Sequence, residues 1–336
     1  MHGTRADADS TRTITVNRRF VVRRLLQLVP TVIGILLIGF ALVHLAPGDP
    51  ILALAGENGD AAYYAFMRHR FGLDLPLPQQ FVVYVTRVAS GDLGASFVTG
   101  RGVMAVIVER IPATLLLTGT ALVLTVVVAI PLGIVAAWRA GSAYDIGIGA
   151  AGLVIFSAPP FWIGQLAILV FALHLGIVPV QGMTDAGELT AGFAYARDLA
   201  AHLALPALVL ASHEIVVLMR VTRAGLAREL ALHHVRTARA KGVSELMVVF
   251  RHALPRALLP VIAVIGARVG QLLAGAVVVE VVFGWPGMGR LLLAGLEARD
   301  IPVLLGLFIV LSIVIVLMNL LTDFVYAARD DRIRFR

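Results

Sequence analysis

The residues that could do chemistry are few, and their spacing argues against catalysis. Tyr144-Asp145 and Pro206-Ala207-Leu208 are two of the three motifs an intramembrane aspartyl protease would carry. Such an enzyme needs two facing carboxylates, and the middle Gly-x-Gly-Asp motif is missing. Gly56-Glu57-Asn58-Gly59-Asp60 has the wrong spacing and falls outside the apolar runs. No Gly-x-Ser-x-Gly seats a serine nucleophile. The chain has no cysteine, which excludes disulfides, thiolate metal sites and a cysteine nucleophile. His44, His174, His202 and His213 show no metal-ligand spacing with carboxylates, and His233 and His234 point apart on a helix, so no metal site is expected. A phosphate-cradling loop ends in Gly-Lys-Ser/Thr, whereas the single lysine, Lys241, stands between Ala240 and Gly242. ATP chemistry in this chain is therefore excluded, and its energy must come from another subunit or a gradient.

What remains is charge set in apolar sequence. Glu214, Arg268 and Glu280 interrupt otherwise uncharged runs, and ionisable groups at membrane depth are costly enough to suggest function. Glu280 lies twelve residues after Arg268, about 18 Å along a helix, so these two cannot pair within it. Glu214 and Arg268 fall at similar depth on antiparallel neighbours. Two readings stand: they pair, or Arg268 faces a water-filled pathway alone. Glu280, near the outer end, is either a gate residue or an interface residue. Gly266, Gly270 and Ala274 form a small-residue stripe at four-residue spacing, which suits close helix packing against a neighbouring span or a partner chain.

The elements carrying these residues read as membrane helices. Hydrophobic residues make up 59% and charged residues 15% of 336, which argues against a soluble globular domain. The net charge of +7 is arginine at the ends of apolar runs, the membrane-protein placement, so no nucleic-acid partner is expected. A bilayer core needs about 20 apolar residues per helix. Leu25–Ala46, Ile111–Trp138, Ile146–Thr184, Leu199–Met219, Ala257–Val282 and Ile301–Thr322 supply six spans in an all-α polytopic fold. The run from Ile146 is too long for one helix and should end near Leu175, and Pro159-Pro160 must interrupt it. With both termini cytoplasmic, 19 basic residues fall inside against 7 outside, which satisfies the positive-inside rule. Residues 1–17 read as a disordered tail and 18–336 as the membrane domain. Residues 47–102 form an extracytoplasmic segment with a short helix over Asp60–Phe71, and the turn Gly284-Trp285-Pro286-Gly287 precedes an apolar half-helix.

The stretch 223–255 is a basic cytoplasmic loop. Thr222–Lys241 is rich in helix formers, Gly242 suits the left-handed stop, Ser244 can cap a second helix with Glu245 in its first turn, and Val248, Val249 and Phe250 offer an apolar face. Two readings stand here as well: a helix that fills a groove on a partner and carries motion, or an amphipathic loop lying on anionic membrane lipid.

The loop resembles the coupling signature of ABC importer permeases: Glu-Ala-Ala, three residues, Gly, nine residues, Ile, one residue, Leu-Pro. Here Arg236, Thr237 and Ala238 fill the first three positions, followed by Gly242, His252 and Leu254-Pro255. The departures at Arg236, Thr237 and His252 match the variant of the dipeptide/oligopeptide/nickel permease family. The resemblance extends through Leu45-Ala46-Pro47-Gly48-Asp49-Pro50, Gly72-Leu73-Asp74-Leu75-Pro76, Gly91-Asp92-Leu93-Gly94, Glu109-Arg110-Ile111-Pro112-Ala113-Thr114 and Glu280-Val281-Val282-Phe283-Gly284-Trp285-Pro286-Gly287-Met288-Gly289. It implies the type I ABC importer permease fold and an inner-membrane subunit that moves di- or oligopeptides by alternating access. It also implies a second homologous permease, two ATP-binding subunits that hold ATP and Mg2+, and an extracytoplasmic substrate-binding protein. Arg236, Thr237, Ala238, Gly242, Ser244, Glu245, Leu246, Val249, His252, Leu254 and Pro255 are the expected ATPase-coupling residues. Nickel and glutathione are the alternative cargoes within such importers, and an ion-gradient-driven secondary transporter is the alternative outside them.

Overall fold

A computed structural model describes residues 18–45, 60–71, 74–185 and 192–329. The expected tail over 1–17 and residues 47–59 of the expected segment 47–102 lie outside these residues. Among them the fold is helical, with a single isolated bridge between Ala95 and Gly102. The helices are α1 (Arg18–Leu45), α2 (Ala61–Phe71), α3 (Leu77–Ala89), α4 (Val103–Val108), α5 (Ile111–Trp138), α6 (Ala143–Ser157) and α7 (Pro160–Ala167). They continue with α8 (Phe193–Leu230), α9 (His233–Ala240), α10 (Glu245–Met247), α11 (Leu254–Val282), α12 (Met288–Glu297) and α13 (Ile301–Arg329). Wide π-type turns extend α7 over Ile168–His174 and α10 over Val248–Ala253.

Among the described residues, four continuous segments are long and apolar enough to cross a membrane: Val103–Trp138, Phe193–Leu230, Glu245–Val282 and Ile301–Thr322. Leu26–Ala41 is a shorter apolar stretch within α1. The expected third span is two helices, α6 and α7 with its extension, bent by 103°. Pro159 and Pro160 cannot donate backbone hydrogen bonds, so α6 ends at Ser157 and a new helix starts at Pro160. This is a sharper break than a kinked single helix, and it ends as expected before Leu175.

The centre is a three-helix arrangement whose register can be read from contacts. Helices α5 and α8 run parallel: Leu117 and Ala121 share a core with Leu203, Leu205 and Ala207, while Gly133 lies against Met219 and Thr222. Helix α11 runs antiparallel to α8, with Gly225 against Ala257, Glu214 against Arg268 and Leu210 against Gly275. The broken segment also follows α8 antiparallel, with Asp145 on Arg223, Gly152 on Val216, Phe156 on His213 and Gly164 on Val209. It begins beside the C-terminal end of α8. It finishes at the opposite end of α11, where the Gly182 amide donates to the Phe283 carbonyl at 2.9 Å. The two halves therefore traverse the bundle despite the bend.

Helix α8 exceeds its expected limits of Leu199–Met219. Its 38 residues extend about 57 Å, well past a hydrocarbon core of about 30 Å. Arg220, Arg223 and Arg228 thus lie on helix, and the excursion expected from residue 223 is a compact hairpin from Ala231 to Ala253.

The segment before α4 holds more order than its turns suggest. Asp60 accepts from the Tyr63 amide at 2.7 Å and caps α2. The Pro76-Leu77-Pro78 and Ser90-Gly91 turns bracket a second helix, α3. His69 Nδ1, 2.8 Å from Asp74 Oδ2, holds that exposed carboxyl below its usual range. Buried Asp300 accepts from Ser96 Oγ at 2.5 Å and from the Phe97 amide at 3.1 Å, tying the segment to the α12–α13 turn.

Candidate functional site

The hairpin between α8 and α11 is closed by its own contacts. Helix α9 ends where Gly242 adopts φ +77°, a conformation that L side chains resist, and the chain reverses. Arg239 Nε then reaches Glu245 Oε2 at 3.0 Å, clamping the end of α9 to the start of α10. Ser244 occupies the cap position in extended conformation, although its hydroxyl makes no capping bond. Pro255 cannot donate to the Arg251 carbonyl, and the ladder before it opens into the wide turn over Val248–Ala253.

That turn divides the expected coupling residues into two sets. Val248 and Val249 are fully buried, with Val235, Ala238 and Ala253, against Ile134, Ala137 and Leu226. Val249 and Ala238 therefore anchor the hairpin to the bundle. They are not available to touch a partner, because the widened turn rotates them inward. Outward, Leu246 is 57% exposed, Met247 49% and Phe250 51%. With Ser244, Arg251 and Pro255 they line a shallow open groove. Arg236, Thr237 and Lys241 are exposed beside it, whereas His252 and Leu254 are half-buried. Met247 was not expected on this surface; its i, i+3 spacing to Phe250 was the available signal.

A second polar site lies at mid-depth. Arg268 Nε stands 2.8 Å from Glu214 Oε2, and its Nη1 donates to Gln271 Oε1 at 3.1 Å. The two expected charges thus meet across the α8–α11 contact. Pro160, His213, Glu214, Gly270, Gln271, Ala274 and Gly275 line an adjoining crevice of about 440 Å3. Pro160, the first residue of α7, is in its wall, so the proline break and Glu214 border one cavity. A charge pair in a crevice can attract ionic groups of either sign.

Glu280 is elsewhere and fully buried, so it lines no open path and does not reach the interface in this chain. Its carboxylate accepts from Thr114 Oγ1 at 2.6 Å and from the amides of Gly289 at 2.6 Å and Arg290 at 3.3 Å. Those amides open α12, so Glu280 caps that helix from the preceding one. Trp285, also fully buried, donates through Nε1 to the Ala113 carbonyl at 2.8 Å. The Glu280–Gly289 motif is a packed corner with its own hydrogen-bond closure.

The small-residue stripe is divided too. A Cβ on Gly266 would sit 1.6 Å from Thr322 Cγ2, and one on Gly270 would sit 3.5 Å from Ile315 Cγ2. Both glycines pack under α13 of the same chain, while exposed Ala274 turns to the crevice.

Two constellations escaped sequence reading. Asp145 accepts from Arg223 Nε and Nη2, both at 2.6 Å, joining the start of α6 to the end of α8. Their separation of 78 residues gave no local signal. Asp185, Asp198 and His202 also cluster, with ligand-capable atoms within 4.8 Å of one another. The one-turn spacing of Asp198 and His202 was visible, but the approach of Asp185 was not.

Two family models match the sequence: "Binding-protein-dependent transport system inner membrane component" over residues 129–335, and "Binding-prot-dependent transport system membrane comp, N-term" over residues 17–118. The dipeptide transport system permease protein DppB of Escherichia coli (strain K12) is 39% identical, covering 95% of this chain and 99% of its own length. The di/tripeptide transport system permease protein DppB of Pseudomonas aeruginosa (strain UCBPP-PA14) is 39% identical over 94% and 98%. The glutathione transport system permease protein GsiC of Pectobacterium atrosepticum is 39% identical over 94% and 99%. A chain of the MetNI methionine ABC transporter, solved in inward-facing conformations, superposes with a TM-score of 0.53 at 18% identity, covering 66% of this chain and 95% of that one. At that identity the likeness establishes the fold alone.

Proposed function

Because the chain belongs to the family of binding-protein-dependent transport system inner membrane components, we propose that it conducts short peptides through an ATP-driven importer of which it forms half the channel. Peptide cargo is supported by the relatives, whose named cargoes are dipeptides, di/tripeptides and glutathione. Cargo moves by alternating access, with the crevice beside Glu214 and Arg268 on its path. The chain crosses the membrane six times, counting α1 and the broken α6–α7 segment as spans, and both termini are cytoplasmic. The arginine bias supports that orientation.

The observation that carries this reading is the hairpin: buried Val248 and Val249 fix it to the bundle, while Leu246, Met247 and Phe250 stay outside. A protrusion held rigidly at its base can transmit a push, as a helix seated in a partner's groove does. The partner is an ATP-binding subunit that holds ATP and Mg2+. The whole assembly has two such subunits, a second permease of this kind and an extracytoplasmic binding protein. The exposed Arg236, where the common coupling signature has glutamate, gives this hairpin a basic rim for the groove.

The test is affinity purification of the chain from its own operon in mild detergent, followed by uptake assays on the reconstituted complex. Copurifying ATPase subunits and ATP-dependent uptake of a labelled dipeptide, competed by unlabelled dipeptide, are expected. A lone chain moving cargo on a proton gradient would reject the importer reading. Glutathione competing better than any dipeptide, or nickel uptake without peptide uptake, would reject the cargo assignment while leaving the importer intact.

A further inference from the structure

We infer that Asp185, Asp198 and His202 form a binding site for a divalent transition-metal ion at the end of the bundle opposite the hairpin. The side chain of His202 is 2% exposed. Its Nδ1 lies 3.0 Å from the Asp198 carbonyl oxygen and 3.0 Å from Asp198 Oδ1. Both Nδ1 contacts are acceptors, so Nδ1 carries a proton; a neutral ring then presents its lone pair at Nε2, the tautomer a metal-ligating histidine adopts. Nε2 points at Asp185 Oδ1, 3.6 Å away, beyond hydrogen-bond length. An unprotonated Nε2 facing a carboxylate oxygen is repulsive until a cation stands between them.

The gap has the right size. Metal–nitrogen and metal–oxygen distances of about 2.1 Å, separated by 3.6 Å, subtend about 120° at the ion, close to tetrahedral. Asp198 is oriented by the Asp185 amide, which donates to its Oδ2 at 3.0 Å. Asp185 is 76% exposed, which gives the ion a route in and water a place to complete the shell. With Nε2 and Asp185 Oδ1 on the ion and Asp198 behind the imidazole at Nδ1, a nitrogen and oxygen donor set completed by water suits Zn2+ or Mn2+ better than Ca2+ or a soft ion. Arg197 lines the same depression and brings the nearby opposing charge. Two carboxylates and a divalent ion still balance beside it. Once filled, the site would pin the stretch 175–185 to α8, and that stretch is already held to α11 through Gly182 and Phe283.

The experiment uses the full chain, purified through a non-histidine tag, stripped with EDTA and titrated with Zn2+. Retained zinc is counted by mass spectrometry after desalting, and melting is followed by tryptophan fluorescence. The native chain is expected to retain one zinc more than either His202→Gln or Asp185→Asn, with binding weakened at least tenfold in the variants. Zinc should raise the melting temperature of the native chain and not of Asp185→Asn. Asp185 is exposed, so Asp185→Asn should melt like the native chain in EDTA, which keeps the test readable even if His202→Gln misfolds. Equal zinc retention by the native chain and Asp185→Asn, or none by the native chain, overturns the inference. Stabilisation that follows pH alone and ignores zinc also overturns it, since a protonated imidazole would then bridge the carboxylates.

Discussion

Replacing Gly266 by alanine should separate α11 from α13. The added Cβ would lie 1.6 Å from Thr322 Cγ2, 2.7 Å from its Cβ and 2.8 Å from its Oγ1. Carbon atoms rest about 3.5 to 4.0 Å apart, so the helices must part by about 2 Å or Thr322 must swing away. Swinging is resisted, because Thr322 Oγ1 donates to the Met318 carbonyl at 2.8 Å. Overpacking of this kind costs about 1 to 3 kcal/mol, and we expect about 2 kcal/mol here. Gly270→Ala is the internal control. Its Cβ would meet Ile315 Cγ2 at 3.5 Å, an ordinary contact, and should cost under about 0.5 kcal/mol. Thr322→Ala removes the two outer atoms of the clash, so the double variant should regain part of the loss. The assay is unfolding of the purified chain by denaturant in mixed micelles. The reasoning fails if Gly266→Ala leaves the isolated chain at native stability and instead weakens only its association with another permease. The stripe would then be an interface between chains.

Three further outcomes follow from the same geometry. Gly287→Ala would place a Cβ 2.2 Å from Glu280 Oε1, and Glu280→Gln would turn an amide donor toward the α12 amides; each should cost about 2 to 4 kcal/mol in the same unfolding assay. Phe250→Asp and Leu246→Asp should leave chain levels unchanged but abolish copurification of ATPase subunits, whereas Val249→Asp should remove folded chain from the membrane. Glu214→Gln and Arg268→Gln should each lower stability, and the double variant should lose less than the sum by about 1 to 3 kcal/mol; strict additivity would show that the pair contributes no coupling.

Four of the expected spans were legible because hydrocarbon demands long uncharged runs, and the register of Glu214 with Arg268 followed from helix rise and antiparallel order. Gly242 was legible for a local reason, since only a left-handed residue ends α9 there. Less could be read where tertiary packing chose the face. Val248, Val249 and Phe250 formed one apolar group in sequence, and a widened turn before Pro255 sent two inward and one outward. Glu280 looked like a lone charge because its donors are Thr114, 166 residues earlier, and backbone amides nine and ten residues later, which composition does not display. Asp145–Arg223 and Asp185–His202 join residues brought near only by the path of the broken span.

That broken span bears on the medium inside the bundle. Where α6 stops at Ser157 and α7 starts at Pro160, two half-helices leave carbonyls and amides without ladder partners at mid-depth. Oily surroundings would not tolerate them, and the crevice that reaches Pro160 is where they can be hydrated. The chain thus carries a polar notch beside the break, part-way along the bundle. The Glu214–Arg268 couple sits at the edge of that notch, with Glu214 Oε2 and Arg268 Nε turned toward each other and away from solvent.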